Sequence, residues 1–198
     1  MPNDSERRFF RCEVRADPAA DGQGPKIVGY GAVFNRLSEN IGGFREIIKP
    51  GAFDGVMQDD VRGLFNHDRN FVLGRTKSGT LRLSIDDEGL RYEIDAPETQ
   101  MVKDLVLAPM LRGDIDSSSF QFKVAHDGER WFYDDDGLLT REITKFARLY
   151  DVGPVAFPAY PDATAASRSM QEFKNKESLA QENEARERRE RHLQLIGA

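Results

Sequence analysis

The chain has 198 residues, 39% hydrophobic and 31% charged, with 28 Lys and Arg set against 34 Asp and Glu for a formal net charge of -6. That mixture is enough for one folded domain with a core plus an appendage, and it excludes a wholly disordered polymer. It also argues against a diffuse basic surface for nucleic acid, since phosphate neutralisation needs clustered Lys and Arg, so no direct nucleic-acid partner is expected.

The opening stretch MPNDSERRFFRCEVRAD carries charges where a secretory leader needs an apolar run. No apolar stretch approaches the ~20 residues that span a bilayer, so the expectation is a protein made in a cytoplasm with no membrane partner. Cys12 is the single cysteine. One thiol makes no internal disulfide, and with strand-like neighbours and no base nearby it reads as a structural residue.

In chain order, Phe9 to Val14 reads as a short strand and 16–26, ADPAADGQGPK, as a Pro/Gly/Asp-rich turn. IVGYGAVFN (27–35) alternates as a strand, with glycines that suit a curved sheet or a close backbone approach. FREIIKPGAFDGVM (44–57) predicts a strand running into a turn and a short helix, and VRGLFNHD (61–68) a strand that ends in polar residues. TLRLSIDDEGLRYEIDAP (80–97) predicts two strands joined at DDEG, a hairpin. TQMVKDLVLAPMLRG (99–113) sets Met101, Leu105 and Leu111 at helical spacing, with Thr99 as N-cap, Gly113 past the end and Pro109 as a kink. Residues 117–160 supply further strands, turning at DGER and DDDG. From about 171 the chain becomes dense in Glu, Arg, Lys and Gln, with too few apolar residues for a core-facing stripe, and reads as a solvated helix or disordered tail. The class is therefore α+β, dominated by antiparallel strands, with a domain over 1–165 and a charged tail over 166–198.

Three histidines limit the search for a general base. His192 lies in the charged tail and His126 in a turn between strands. His67 closes GLFNHD, where an apolar strand runs out into polar residues, a place where a side chain is both held and accessible. A structural role suits it equally well at this level. A metal site on His67 and Asp68 lacks the paired ligand spacing that zinc or iron needs, so no metal and no cofactor are expected.

In SSSFQF (117–122), residues two apart share a face. Phe120 and Phe122 then point to a core while Ser117, Ser119 and Gln121 point the other way. Two buried phenylalanines would hold a serine's backbone still, yet the same pattern describes an ordinary strand. Asp151 sits in a largely apolar stretch, ARLYDVGPVAFPAY, where a carboxylate needs a partner. A histidine Nδ1–H or backbone N–H groups would serve equally.

Four segments together resemble the prohead proteases, the capsid maturation serine proteases of HK97-type phages. IVGYGAVFN followed by FREIIKPGAF is similar to that family's GYxxxF strand and ExIxPGAF turn. LFNHD with VLGRT (64–68, 72–76) is similar to its histidine segment, LRGDIDSSSFQF (111–122) to its serine segment, and LYDVGPVAFPAYPDAT (149–164) to its acidic segment. The resemblance covers about residues 10–165 in the right order. It implies His67 as general base, Ser119, the serine directly before the phenylalanine, as nucleophile, and Asp151 as the orienting acid. This chain carries Ser117 and Ser118 where relatives often have a glycine and a larger residue, and Gly153 where a serine is common.

The resemblance also implies kinship with herpesvirus assembly proteases, whose fold is a distorted β-barrel ringed by helices and whose third member is a second histidine. It implies a serine endopeptidase acting on the major capsid protein's delta segment or a scaffold protein, and on itself, inside the prohead in the host cytoplasm, with room for a homodimer. A catalytically inactive scaffold or capsid-assembly protein of the same fold is the main alternative, and a metal-dependent hydrolase built on His67 is a third.

Overall fold

The structure, a computed structural model, describes residues 5–11, 14–17, 24–157 and 164–196. Cys12 lies outside them. Among the described residues, twelve strands form three sheets. The central one holds β1 (Glu6–Arg11), β5 (Arg62–Leu64), β6 (Val72–Arg75), β9 (Ser117–Val124) and β12 (Phe146–Val155) in the order β1-β9-β12-β5-β6. A second sheet runs β2 (Val14–Asp17), β3 (Lys26–Val33), β8 (Gly89–Asp95), β7 (Leu81–Ile85). The third is β10 (Glu129–Tyr133), β11 (Leu139–Ile143), β4 (Arg45–Ile48). The α+β class stands. The described pairings give three sheets and do not by themselves trace a closed barrel.

Most pairings are antiparallel, and β7 and β8 form the expected hairpin. Two are parallel, β11 with β4 and β12 with β5. The strand expected over Phe9–Val14 falls instead on β1 and β2, either side of two residues outside the described set. The short helix expected after Ile48 is a run of turns, in which Ala52 N–H, Asp54 N–H and Val56 N–H each reach back to a carbonyl three residues earlier.

The mid-chain helix forms, with a kinked turn in its middle. Thr99 caps it, accepting from the Val102 N–H, and Gly113 ends it in the left-handed conformation, φ 80°. Met101, Leu105 and Leu111 are exposed, while Val102, Val106, Leu107 and Met110 are buried. Between α1 (Gln100–Val102) and α2 (Ala108–Arg112) the chain makes a π turn, Lys103–Leu107. Pro109 has no N–H to offer and crowds the carbonyl four residues back, and the widened turn before it accommodates both defects without a break.

The core sits under the central sheet. Phe53, Phe120, Phe122 and Phe146 are all buried and packed together, Phe120 stacked on Phe122 (centroids 4.6 Å apart), Phe53 tilted against Phe146 (4.5 Å) and Phe122 edge-on to Phe146 (4.9 Å). Burying aromatic rings of this size dominates the stabilisation of a domain, at about 25 cal/mol per Å² of apolar surface. The serine face of β9 is also closed: Ser117, Ser119 and Gln121 are all buried, as is Ser118 on the phenylalanine face. So β9 is covered on both sides, not half-solvated.

A buried ionic cluster ties β1 to the third sheet. Arg8 donates to Glu46 (2.8 Å) and Glu6 (2.6 Å), and Arg141 donates to Glu6 (2.8 Å), Glu46 (2.9 Å) and Glu129. Arg8, Glu6, Glu46 and Arg141 are all at most 4% exposed. Burial alone would push the Glu46 carboxyl up, but the Arg8 and Arg141 guanidiniums outweigh it and hold it below its ordinary range.

The chain divides into two compact units, 1–162 and 163–198. The second contains α3 (Thr164–Ile196), which starts before the compositional change near 171. Its described surface is polar, with Arg186–Glu190 (3.0 Å) and Arg188–Glu184 (3.8 Å) spaced four apart. Such exposed pairs each contribute only a few tenths of a kcal/mol, about 0.3–0.5.

Candidate active site

Three adjacent strands, β9, β12 and β5, carry or lead into the three residues singled out in the sequence. Ser119 lies opposite Gly153 of β12 on one side and Phe9 of β1 on the other. Asp151 lies opposite Gln121 of β9 and Arg62 of β5.

A bulge decides which way Asp151 faces. Leu149 pairs with Phe122 and Asp151 with Gln121, so the two β12 residues Tyr150 and Asp151 answer a single step on β9. Directly opposed residues share a face. With unbroken alternation Asp151 would fall on the phenylalanine side, opposite Phe120. The extra residue, Tyr150, moves it to the face of Gln121 and Ser119.

His67 comes three residues after β5, in a turn. Asn66 and His67 both take left-handed backbone angles, φ 54° and 57°. That region is sparsely occupied by side-chain-bearing residues, with Asn and His among the better tolerated. Two such residues in succession fold the chain back over the sheet. Gly153 allows the turn's strand to come close: a Cβ there would sit 2.0 Å from the Leu64 carbonyl oxygen.

The result is a line of three groups. His67 Nδ1 is 2.5 Å from Asp151 Oδ1, and His67 Nε2 is 2.6 Å from Ser119 Oγ. All are nearly closed to solvent, with side-chain exposures of 9% for His67 and 7% for Asp151, and 3% for Ser119 as a residue. A carboxylate facing Nδ1 holds the proton there, which leaves Nε2 free to receive one from the hydroxyl. Water exclusion strengthens each of these interactions.

Ser119 Oγ has a second neighbour, the Arg8 carbonyl oxygen at 2.8 Å. The hydroxyl owns one proton, so the protonation of the ring selects its partner. With a neutral ring the hydroxyl donates to Nε2. With an imidazolium, Nε2–H donates to Oγ and the hydroxyl donates to Arg8. The first arrangement is set to deliver a proton and the second is not.

The other candidates are elsewhere. His126 is exposed in the turn after β9, and His192 is exposed on α3. Ser118 Oγ donates toward Tyr92 Oη (2.8 Å), and Ser117 Oγ donates to Asp116 (2.8 Å), so neither meets His67. Asp68 accepts from the Asn70 N–H at 2.8 Å and closes the turn beyond His67.

Two contributors went unseen in the sequence. The Arg8 contact uses a backbone carbonyl, which no side-chain pattern reveals. Asn66 bonds across to β12, and the only sequence signal was an asparagine directly before the histidine.

A hydroxyl, an imidazole and a carboxylate in line on neighbouring strands, shielded from water, have the arrangement used by serine hydrolases. The chain belongs to the caudovirus prohead serine protease family, whose model matches residues 10–176. Neither the curated proteins nor the solved structures yield a match.

Proposed function

We propose that this chain is a serine endopeptidase of capsid maturation, with Ser119 as nucleophile, His67 as general base and Asp151 as the residue that orients the ring. The observation that carries this reading is the placement of His67 between Asp151 and Ser119, at 2.5 Å and 2.6 Å, in a chain of that family. His67 takes the Ser119 proton as Oγ attacks a peptide carbonyl and gives it to the departing amine as the C–N bond breaks. Water, deprotonated in turn by His67, then hydrolyses the acyl-enzyme and frees Ser119. Asp151 keeps the proton on Nδ1 and stabilises the transient imidazolium. Fixed backbone N–H groups would meet the developing oxyanion.

The substrates proposed are the major capsid protein's delta segment or a scaffold protein, and the protease itself, cleaved inside the assembling prohead in the host cytoplasm. Among the described residues no helix is long and apolar enough to cross a membrane. Residues 1–165 form the protease domain, and the charged stretch from about 171 serves to bring it into the prohead.

Co-expression with the matching capsid protein tests this. Wild type should trim it and Ser119→Ala should not. Trimming that persists in Ser119→Ala would dismiss the nucleophile, and an assembled wild type that neither trims nor reacts with a fluorophosphonate would point to an inactive assembly protein instead.

A further inference from the structure

We infer that Asn66 is a positioning residue for His67, clamping the turn that carries the imidazole onto the end of the strand that carries Asp151. The inference rests on reading His67 as the base.

The need for a clamp comes from the sheet. The parallel pairing of β5 with β12 covers Asp151 opposite Arg62 and Val152 opposite Gly63. His67 lies four residues beyond Gly63, in a turn tied largely to itself. Phe65 N–H donates to Phe71 O (3.2 Å), Asp68 N–H to Phe65 O (2.9 Å) and Phe71 N–H to Asp68 O (2.9 Å). The Phe65 and Phe71 rings meet edge-on at 5.4 Å across its neck. Those contacts shape the turn but do not aim it at β12.

Asn66 makes bonds that do. Its N–H donates to the Pro154 carbonyl (3.1 Å), and its Oδ1 accepts the Ala156 N–H (2.8 Å). Main chain and side chain of one residue therefore grip β12 and the residue just past it, on the stretch that begins at Asp151. The following residue is His67. The position makes two demands: a backbone that tolerates φ 54° and an acceptor at short reach. Asparagine meets both, since its short polar side chain tolerates the left-handed region. Glycine meets only the first demand, and aspartate meets both. This is a testable difference, because a 1 Å displacement of a reacting group costs on the order of 100-fold in rate.

The experiment uses the full chain and two readouts. One is the rate at which a fluorophosphonate labels Ser119. The other is the proton NMR signal of the hydrogen between His67 and Asp151, assigned by its loss in His67→Gln. Asn66→Gly should label about 10- to 100-fold more slowly than wild type and lose that signal. Its thermal midpoint should move by no more than about 4 °C, the change expected from losing one surface bond in a chain this size. Asn66→Asp should label within about threefold of wild type and keep the signal. Wild-type labelling in Asn66→Gly, or an Asn66→Asp variant no better than Asn66→Gly, overturns the inference. If wild type itself does not label, the proposed function fails and the NMR arm decides alone. A bridging proton retained in Asn66→Gly then refutes the clamp, and one lost there but kept in Asn66→Asp supports it.

Discussion

At the scale of residues, the candidate site is a proton path whose direction depends on three atoms. Ser119→Ala or His67→Ala should abolish fluorophosphonate labelling, since one removes the attacking oxygen and the other its proton acceptor. Asp151→Asn should slow labelling by roughly 10³- to 10⁴-fold, because the amide's NH₂ can face Nδ1 and favour the wrong tautomer. The Gly153 contact offers a steric test. A methyl at that position would lie 2.0 Å from a backbone oxygen that cannot swing aside. Gly153→Ala should therefore lower stability by about 1–3 kcal/mol, measured by urea unfolding, and slow labelling by pushing the His67 turn away from β12. Wild-type behaviour in both measurements would show that β5 and β12 have slack between them. Much of this was legible in the chain. The histidine at the end of an apolar strand, the serine before two phenylalanines and the acid in an apolar stretch were readable as candidates, but each fitted a structural role as well, and only the family resemblance joined them. The Arg8 carbonyl was not readable, because every residue has one.

At the scale of elements, β1 is held by charge and β9 by aromatic packing. Glu46 sits between Arg8 and Arg141, and removing one member of a buried ion cluster leaves the others uncompensated. Glu46→Gln should cost about 3–5 kcal/mol at neutral pH in denaturant unfolding. The pH dependence has a definite sign. The folded-state carboxyl is held below its ordinary value of 4.5, so its contribution is complete above that pH and is lost as pH falls through the lower folded value. Stability of the wild type should decline in that acid window, and Glu46→Gln should decline less steeply there. On β9, Phe120→Ala removes a fully buried ring that stacks on Phe122 and faces Phe53, and should cost about 3–5 kcal/mol. The mid-chain helix shows where periodicity misleads. Met101, Leu105 and Leu111, which show the helical spacing in the sequence, are exposed, and the buried stripe is Val102, Val106 and Met110. Both sets have helical spacing, and what lies beneath the helix chose between them.

At the scale of the whole molecule, the first unit has its own three sheets and continuous core, whereas α3 is a long polar helix. A chain ending at residue 170 should therefore keep its cooperative unfolding transition and its labelling rate. It should lose helical ellipticity at 222 nm and, if the stretch from 171 serves delivery, its incorporation into proheads. The sequence alone determined the strand-rich class, the β7–β8 hairpin, the capped helix and the polar tail, while the three residues of the candidate site came from the family resemblance. The fold features follow from local alternation, capping and composition, which act within a few residues of chain. Only the tertiary structure decided that the three groups meet. Asp151 turns toward Ser119 because one extra residue, Tyr150, slips the register of β12 against β9, and a slip of one residue exchanges the two faces of a strand. His67 reaches them because a left-handed turn folds back across a strand some ninety residues away in sequence, held by Asn66. Register and long-range pairing depend on both partners at once, so no stretch of chain read by itself contains them.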